Sequence, residues 1–362
     1  MTPALPPAEV AAMRAAAQLL LDGPRAGPEE TVRWMLALQA QDFAGGLWAV
    51  ALRDRADETR ADIEAALGAG TIVRSWPMRG TLHLVTPRDL RLLLAITAIR
   101  AVAAAAGRRA QLGLSPEQLD RGRKLTVELL AGGRALPRAE LMAAIAERGL
   151  DTSGQRAAHL LGWLSQTGVT CLGPMVGRQQ AVVLLDEWSP GEAPERDTAL
   201  REATLRYVRS HGPVGAADLS WWLGITKTEA TRALTEAGDE LERIESEAGP
   251  LWLAPDSPAG DPQSVAAAAD AVRLLPPFDE LLLGYTDRSA SLEPAYAHHV
   301  APGANGLFRP VVAAGGRILG LWRVERRSTP SVEFDPFVSF PPDALPALEE
   351  AAAAHLRFAA SR

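Results

Sequence analysis

Ile72-Val73-Arg74-Ser75-Trp76 and Arg79-Gly80-Thr81-Leu82-His83-Leu84-Val85 read as two short strands around Pro77. Both are rich in β-branched and aromatic residues, and Gly70 and Thr86-Pro87 bound them. In the second, Thr81, His83 and Val85 lie on one face and Leu82 and Leu84 on the other, because strand side chains alternate. Helical patterns precede the pair. Pro7–Leu21 places Val10, Met13, Ala17 and Leu20-Leu21 on one face, and Pro24 and Gly27-Pro28 break it. Glu29–Gln39 follows, with Pro28 in its first turn and Glu29 and Glu30 complementing the amino-terminal dipole. Thr59–Ala69, closed by Gly70, is a third. Helices followed by a hairpin form the layout of a winged helix.

The layout recurs downstream. Thr86 is the expected N-cap of a helix running to about Gly107, and Ser115-Pro116-Glu117 opens another. Helices over Pro137–Gly149 and Gln155–Gln166 lead to Val169–Leu185, a hairpin split by Gly173-Pro174. A linker at Trp188–Arg196 precedes a third pass: Thr198–His211, then Val214–Leu223 and Thr226–Ala237 about a Gly224-Ile225-Thr226 turn. Asp239–Leu253, with Gly249-Pro250 at its tip, is the third hairpin. After a second linker at Ser257–Pro262, Phe308–Val312 and Arg317–Val324 form a hairpin across Gly315-Gly316. A strand at Ser331–Phe334 and an amphipathic helix over Pro342–Ala360 end the chain. The expected fold is therefore mainly α with short β-hairpins, in three helix-turn-helix-type units over 1–110, 111–190 and 197–256 and a mixed segment over 263–362.

Composition narrows the function classes. At 362 residues, 47% apolar and 22% charged, the chain is of the soluble globular type. No signal peptide and no run of about 18 apolar residues is seen, so a cytoplasmic location is expected. Cys171 is the only cysteine, which excludes an internal disulfide and a cysteine-rich zinc site. The adjacent His298-His299 lacks metal-ligand spacing. Neither a metal nor a cofactor is expected. Lysine occurs only at 124 and 227, leaving few candidates for a Schiff base. Net charge is −7, which opposes nucleic acid as a partner, yet Thr71–Arg134 holds eleven basic residues against four acids, a local +7. Arg309, Arg317, Arg323, Arg326 and Arg327 against Glu325 make a second basic cluster. Screening over about 8–10 Å lets a basic face act locally on an acidic protein.

The chemistry-bearing stretch is Leu38-Gln39-Ala40-Gln41-Asp42-Phe43-Ala44-Gly45-Gly46. Residues i and i+2 diverge on a helix and share a side on extended chain. Gln39 and Gln41 meet at one point only if the helix before them is ending, and Gly45-Gly46 is the expected terminator. Two converging carboxamides hold one water or one polar ligand; by spacing alone they also fit ordinary exposed polar residues.

Taken together, these features resemble the bacterial winged-helix DNA glycosylases of the AlkZ and YcaQ type. The matching segments run in family order: Leu38-Gln39-Ala40-Gln41, Arg79–Val85, Leu275-Pro276-Pro277-Phe278-Asp279 with Asp287-Arg288, Phe308-Arg309-Pro310-Val311-Val312, and Phe334-Asp335-Pro336-Phe337. The Gln-apolar-Gln form resembles the branch associated with self-resistance to DNA-alkylating natural products. The resemblance implies three tandem winged-helix units in a C shape around a DNA-sized cleft. It implies an enzyme that hydrolyses the N-glycosidic bond of bulky N-alkylated purines in double-stranded DNA and unhooks interstrand crosslinks; the shortage of lysines argues that it is monofunctional, and a monomer without a cofactor is expected. Gln39 and Gln41 would then place water, with Asp42 and His83 as accessory candidates. Arg79, Thr81, Arg88, Arg288, Arg317 and Arg323 are the expected DNA contacts. Two other classes fit the architecture: a non-catalytic winged-helix regulator and a protein-interaction scaffold. A regulator would read DNA with Thr226–Ala237, whose mixed charges (Lys227, Glu229, Arg232, Glu236) suit phosphate poorly.

Overall fold

The structure, a computed structural model, describes residues 4–21, 27–54, 58–303, 306–325, 328 and 330–361. In chain order its elements are α1 (Pro7–Ala17), α2 (Pro28–Met35), β1 (Leu38–Gln39), α3 (Phe43–Ala51), α4 (Arg60–Ala69), β2 (Val73–Met78), β3 (Thr81–Val85), α5 (Pro87–Ala104) and α6 (Ala106–Gln111). There follow α7 (Pro116–Leu130), β4 (Leu136–Pro137), α8 (Arg138–Glu147), α9 (Arg156–Gln166), β5 (Thr170–Val176), β6 (Gln179–Leu184) and α10 (Leu185–Trp188). Then come α11 (Arg196–His211), α12 (Ala216–Leu223), α13 (Lys227–Glu236), β7 (Glu242–Ser246), β8 (Gly249–Leu253), α14 (Pro262–Asp270) and β9 (Val272–Leu275). The last are α15 (Glu280–Leu283), α16 (Ala297–Val300), β10 (Val311–Ala314), β11 (Arg317–Glu325), β12 (Ser331–Pro336) and α17 (Leu345–Ala360).

Side-chain caps explain many of the helix starts. Thr86, Ser115 and Thr226 accept from the backbone N–H three residues on, at 3.1, 3.4 and 3.1 Å, so α5, α7 and α13 begin as the sequence predicts. Asp42 and Asp261 cap α3 and α14 in the same way.

Contacts divide the chain into two compact units, one of Met1–Ile63 with Arg201–Arg362 and one of Glu64–Leu200. They do not follow the four expected segments: the Val73–Val85 hairpin of the first pass shares a unit with the whole second pass. Within Glu64–Leu200 the strand order is β3-β2-β5-β6-β4. Ser75 pairs with His83, Arg74 with Leu172 and Leu136 with Val182, so two hairpins share one sheet. Helices α7, α8 and α9 bury Leu119, Leu130, Ile145 and Leu164 against Leu172 and Val182 of that sheet.

The other unit has an antiparallel sheet β12-β11-β10-β9 and a separate β7-β8 hairpin. Its main core joins Ala15, Ala16 and Leu20 to Leu275, Leu281, Val311 and Ile318. A polar network also runs through it. The Arg14 guanidinium lies 3.9 Å over the Tyr285 ring and donates to the Pro213 carbonyl at 3.0 Å. The Tyr285 hydroxyl accepts from Gln18 at 2.9 Å and donates to the His211 carbonyl at 2.7 Å. Burial raises the Tyr207 and Tyr285 hydroxyls above the ordinary tyrosine range, so both stay neutral hydrogen-bond partners.

Several expectations are corrected. The helix expected over Glu29–Gln39 stops at Met35, because Leu36 takes a left-handed φ of +63°. Gly45-Gly46 does not terminate it; both lie inside α3, which the pattern did not reveal. The second hairpin turns at Gly177-Arg178, where Gly177 has φ +61°, while Gly173-Pro174 sits inside β5 at a register shift. Proline cannot donate to the ladder and is tolerated at such an irregularity. The third hairpin turns before Gly249, at Glu247-Ala248.

Candidate active site

Gln39 and Gln41 lie on non-helical chain between the left-handed Leu36 and the cap of α3. Leu38–Gln39 is extended, and Gln41-Asp42 bends into the helix. Gln39 is only 8% exposed, whereas Gln41 is exposed. Asp42 spends Oδ1 on the Gly45 N–H, at 2.5 Å, as the N-cap of α3. Its carboxylate thus fixes the angle at which the two-glutamine segment enters the helix, and that structural role is the one the geometry displays.

Gly45 explains what holds this segment. A Cβ there would lie 3.3 Å from both Pro276 Cβ and Pro277 Cδ, tighter than ordinary packing. The absence of a side chain lets Leu275–Asp279 close on the first turn of α3. Asp279 then anchors the far end. Its carboxylate accepts both Arg53 Nη1 and Nη2, at 2.8 and 2.7 Å, with both side chains fully buried. Arg53 also donates to Gln18 Oε1 at 3.0 Å and to the Ala49 carbonyl at 3.1 Å, and Asp279 accepts from the Leu281 N–H at 2.9 Å. The sequence carried Asp279 only as part of a motif; nothing in its spacing marks Arg53 and Gln18, far along the chain, as its partners.

In the Glu64–Leu200 unit, Arg79 and Gly80 form the two-residue turn of β2–β3, with φ of +54° and +68°. Two positive φ values are the pattern of a tight primed hairpin turn. His83 is fully buried, so it does not present its ring at the surface as a DNA or adduct contact. Its Nδ1 lies 2.9 Å from the Thr81 carbonyl and its Nε2 2.9 Å from Arg79 Nη2. A carbonyl only accepts and a guanidinium only donates, so Nδ1 carries the proton and Nε2 accepts. The imidazole is thereby neutral and holds the Arg79 side chain. Thr81 Oγ1 and Ser75 Oγ, near it on the same hairpin, are buried without a hydrogen-bond partner among the described residues.

The remaining expected DNA contacts are scattered. Arg88 is exposed at the start of α5, 3.5 Å from Asp89. Arg288 donates to the Leu282 carbonyl at 2.6 Å and lies 5.2 Å from the centre of the Phe308 ring. Arg317 is exposed at the start of β11. Arg323 is exposed but paired with Glu333 across the hairpin at 2.7 Å, which raises its basicity and offsets its charge. Arg326 and Arg327 lie outside the described residues. The local +7 is also partly internal: Arg91 and Arg109 are buried, bonded to Asp186 and the Ser189 carbonyl and to the Val102 carbonyl, and Arg74 donates to Gln180. Cys171 is buried and its thiol is pushed up to about 12, which removes it as a nucleophile at neutral pH.

The family model described as DNA glycosylase AlkZ-like matches residues 32–358. A protein of Streptomyces sahachiroi named interstrand DNA cross-link repair glycosylase is 27% identical over 334 residues, covering 87% of each chain. The solved structure of Streptomyces sahachiroi DNA glycosylase AlkZ superposes with a TM-score of 0.82 at 25% identity, covering 99% of this chain and 98% of that one. The chain belongs to the AlkZ-like DNA glycosylases.

Proposed function

We propose that this glycosylase is a monofunctional enzyme that excises bulky N-alkylated purines, of the N7-alkylguanine and N3-alkyladenine type, from double-stranded DNA. It unhooks interstrand crosslinks built on such purines and serves self-resistance to a genotoxic natural product. It acts as a monomer in the cytoplasm. Its three helix-then-hairpin passes are winged-helix units arranged in a C shape around DNA. The observation that carries this reading is the match along nearly the whole chain to a crosslink repair glycosylase.

The site supports a specific division of labour. An N7-alkylguanine already carries positive charge, so it leaves without prior protonation. Hydrolysis breaks C1′–N9, and the electron pair leaves on the base and neutralises it. The oxygen of water bonds C1′, and a proton passes to solvent. Carboxamides do not titrate near neutral pH, so Gln39 and Gln41 act by accepting the two protons of one water and aiming its lone pair at C1′. Positioning of this kind contributes several kcal/mol, on the order of 10²-fold or more in rate. The oxocarbenium-like transition state, as in glycoside hydrolysis, gains from neighbouring DNA phosphates. Arg79, Arg88, Arg288, Arg317 and Arg323 contact the DNA backbone, whereas the Thr81 hydroxyl is buried and takes no part in that contact. Arg79 is held by the buried His83 ring.

The test is incubation with duplexes carrying N7- or N3-alkylpurines, small and bulky, followed by heat or base to cleave abasic sites. Wild type is expected to release the base, and Gln39→Ala and Gln41→Ala to lose that activity while still binding DNA. Absence of release from every adduct would refute the proposal and favour a non-catalytic DNA-binding role.

A further inference from the structure

Phe278 is the one aromatic residue with a left-handed backbone among the described residues, at φ +64°. That region is uncommon for any residue with a side chain and is an outlier for a bulky one. Strain of this kind persists only where the surroundings over-determine it, and it clusters where a side chain must be presented. Here both flanks are fixed. On one side, Trp48 and Trp322 donate to the Leu274 and Leu275 carbonyls at 2.7 and 2.8 Å, and Pro276-Pro277 lean on Gly45. On the other, Asp279 is locked by the buried fork of Arg53.

The strained residue is not used to fill the core. The residue is half-buried and belongs to none of the hydrophobic clusters described above. The ring centroid lies 6.3 Å from that of Phe308, tilted by 54°, and the Arg288 guanidinium lies over the Phe308 ring. Two rings and a guanidinium make a patch suited to nucleic acid, since aromatic faces stack on bases and arginine pairs with phosphate. The loop packs on the first turn of α3, directly after the two-glutamine segment. A positively charged purine is the base that gains most from an aromatic face, through attraction to the ring quadrupole.

We propose that Phe278 is a substrate-contacting residue that stacks on a purine of the DNA substrate, the alkylated base itself, and that Arg53 and Asp279 are positioning residues for it. This rests on the reading of the chain as an alkylpurine glycosylase. The test compares Phe278→Ala, Phe278→Leu and Phe278→Tyr in single-turnover base release from N7-alkylguanine duplexes, beside thermal unfolding and affinity for undamaged duplex. The alanine and leucine variants are expected to fall about 10- to 100-fold, the range of one lost base–aromatic stack. Phe278→Tyr is expected to stay within about threefold, and unfolding temperature and undamaged-DNA affinity to hold in all three. Wild-type rates in Phe278→Leu, or a loss in Phe278→Tyr equal to that in Phe278→Ala, would overturn the assignment. If wild type released no base, the functional reading would fail by itself. Stacking would then be decided by a duplex with 2-aminopurine at the lesion position: a change in its emission on adding wild type but not Phe278→Leu supports it, and equal responses overturn it.

Discussion

Removing the Asp279 carboxylate should be among the most damaging single changes in this protein. Arg53 and Asp279 are both fully buried and joined by two short bonds. Breaking such a pair by deleting one partner leaves an uncompensated charge and costs about 3–5 kcal/mol. Asp279→Ala also removes the acceptor for the Leu281 N–H, a further loss of about 1 kcal/mol. Replacing both residues by apolar ones, as in Arg53→Met with Asp279→Leu, removes the stranded charge. Its cost should be about 2 kcal/mol, from the orphaned Gln18 Oε1 and Leu281 N–H. Thermal unfolding reads this directly, since about 2–4 °C corresponds to 1 kcal/mol in a domain of 150–250 residues. Asp279→Ala, at about 4–6 kcal/mol in all, should melt about 8–24 °C below wild type, and the double variant should melt well above either single. Singles within about 1 kcal/mol of wild type, or a double variant as damaged as the sum of its parts, would refute this account of the motif's aspartate.

Two further predictions follow from single side chains. Asp42→Asn keeps an oxygen for the Gly45 N–H and should hold both stability and base release, while Asp42→Ala should cost about 1 kcal/mol of stability through the lost cap. If Asp42→Asn were as inactive as Gln41→Ala in the abasic-site assay, the carboxylate would belong to the chemistry. His355 sits edge-on between Trp48 and Trp322, at ring-centroid distances of 4.9 and 4.6 Å, and burial lowers its pKa to about 4. The unfolded chain, with an ordinary histidine near 6.5, binds the proton more tightly, so stability is complete above about pH 6.5 and falls as pH drops toward 4. The full loss is about 1–3 kcal/mol, discounted for partial exposure. His355→Phe should flatten the melting temperature across that range relative to wild type, and an unchanged slope would refute the assignment.

Local chemistry made much of the secondary structure readable. Thr86, Ser115 and Thr226 cap helices where their hydroxyls precede an apolar run, and the 71–85, 169–185 and 239–253 stretches all form hairpins. The errors arose where distant residues decided a local outcome. Gly45-Gly46 looks like a terminator by composition, yet the bare backbone of Gly45 accommodates Pro276 and Pro277, more than two hundred positions on. The helix before the glutamines stops at a leucine, a residue with no intrinsic preference for a left-handed backbone.

What the sequence by itself determined is the repertoire: capped helices, hairpins, an acidic chain with basic segments, and a Gln-Ala-Gln segment that breaks helical spacing. Those features depend on neighbours a few residues apart. Only the tertiary structure decided that Asp42 is a cap, that His83 is a buried neutral clamp on Arg79, and that Asp279 serves Arg53. It alone showed Phe278 held in a strained backbone. The physical reason is that burial, proton placement and backbone strain depend on which side chains the fold brings within about 3 Å. Sequence spacing carries no information about partners that far apart along the chain.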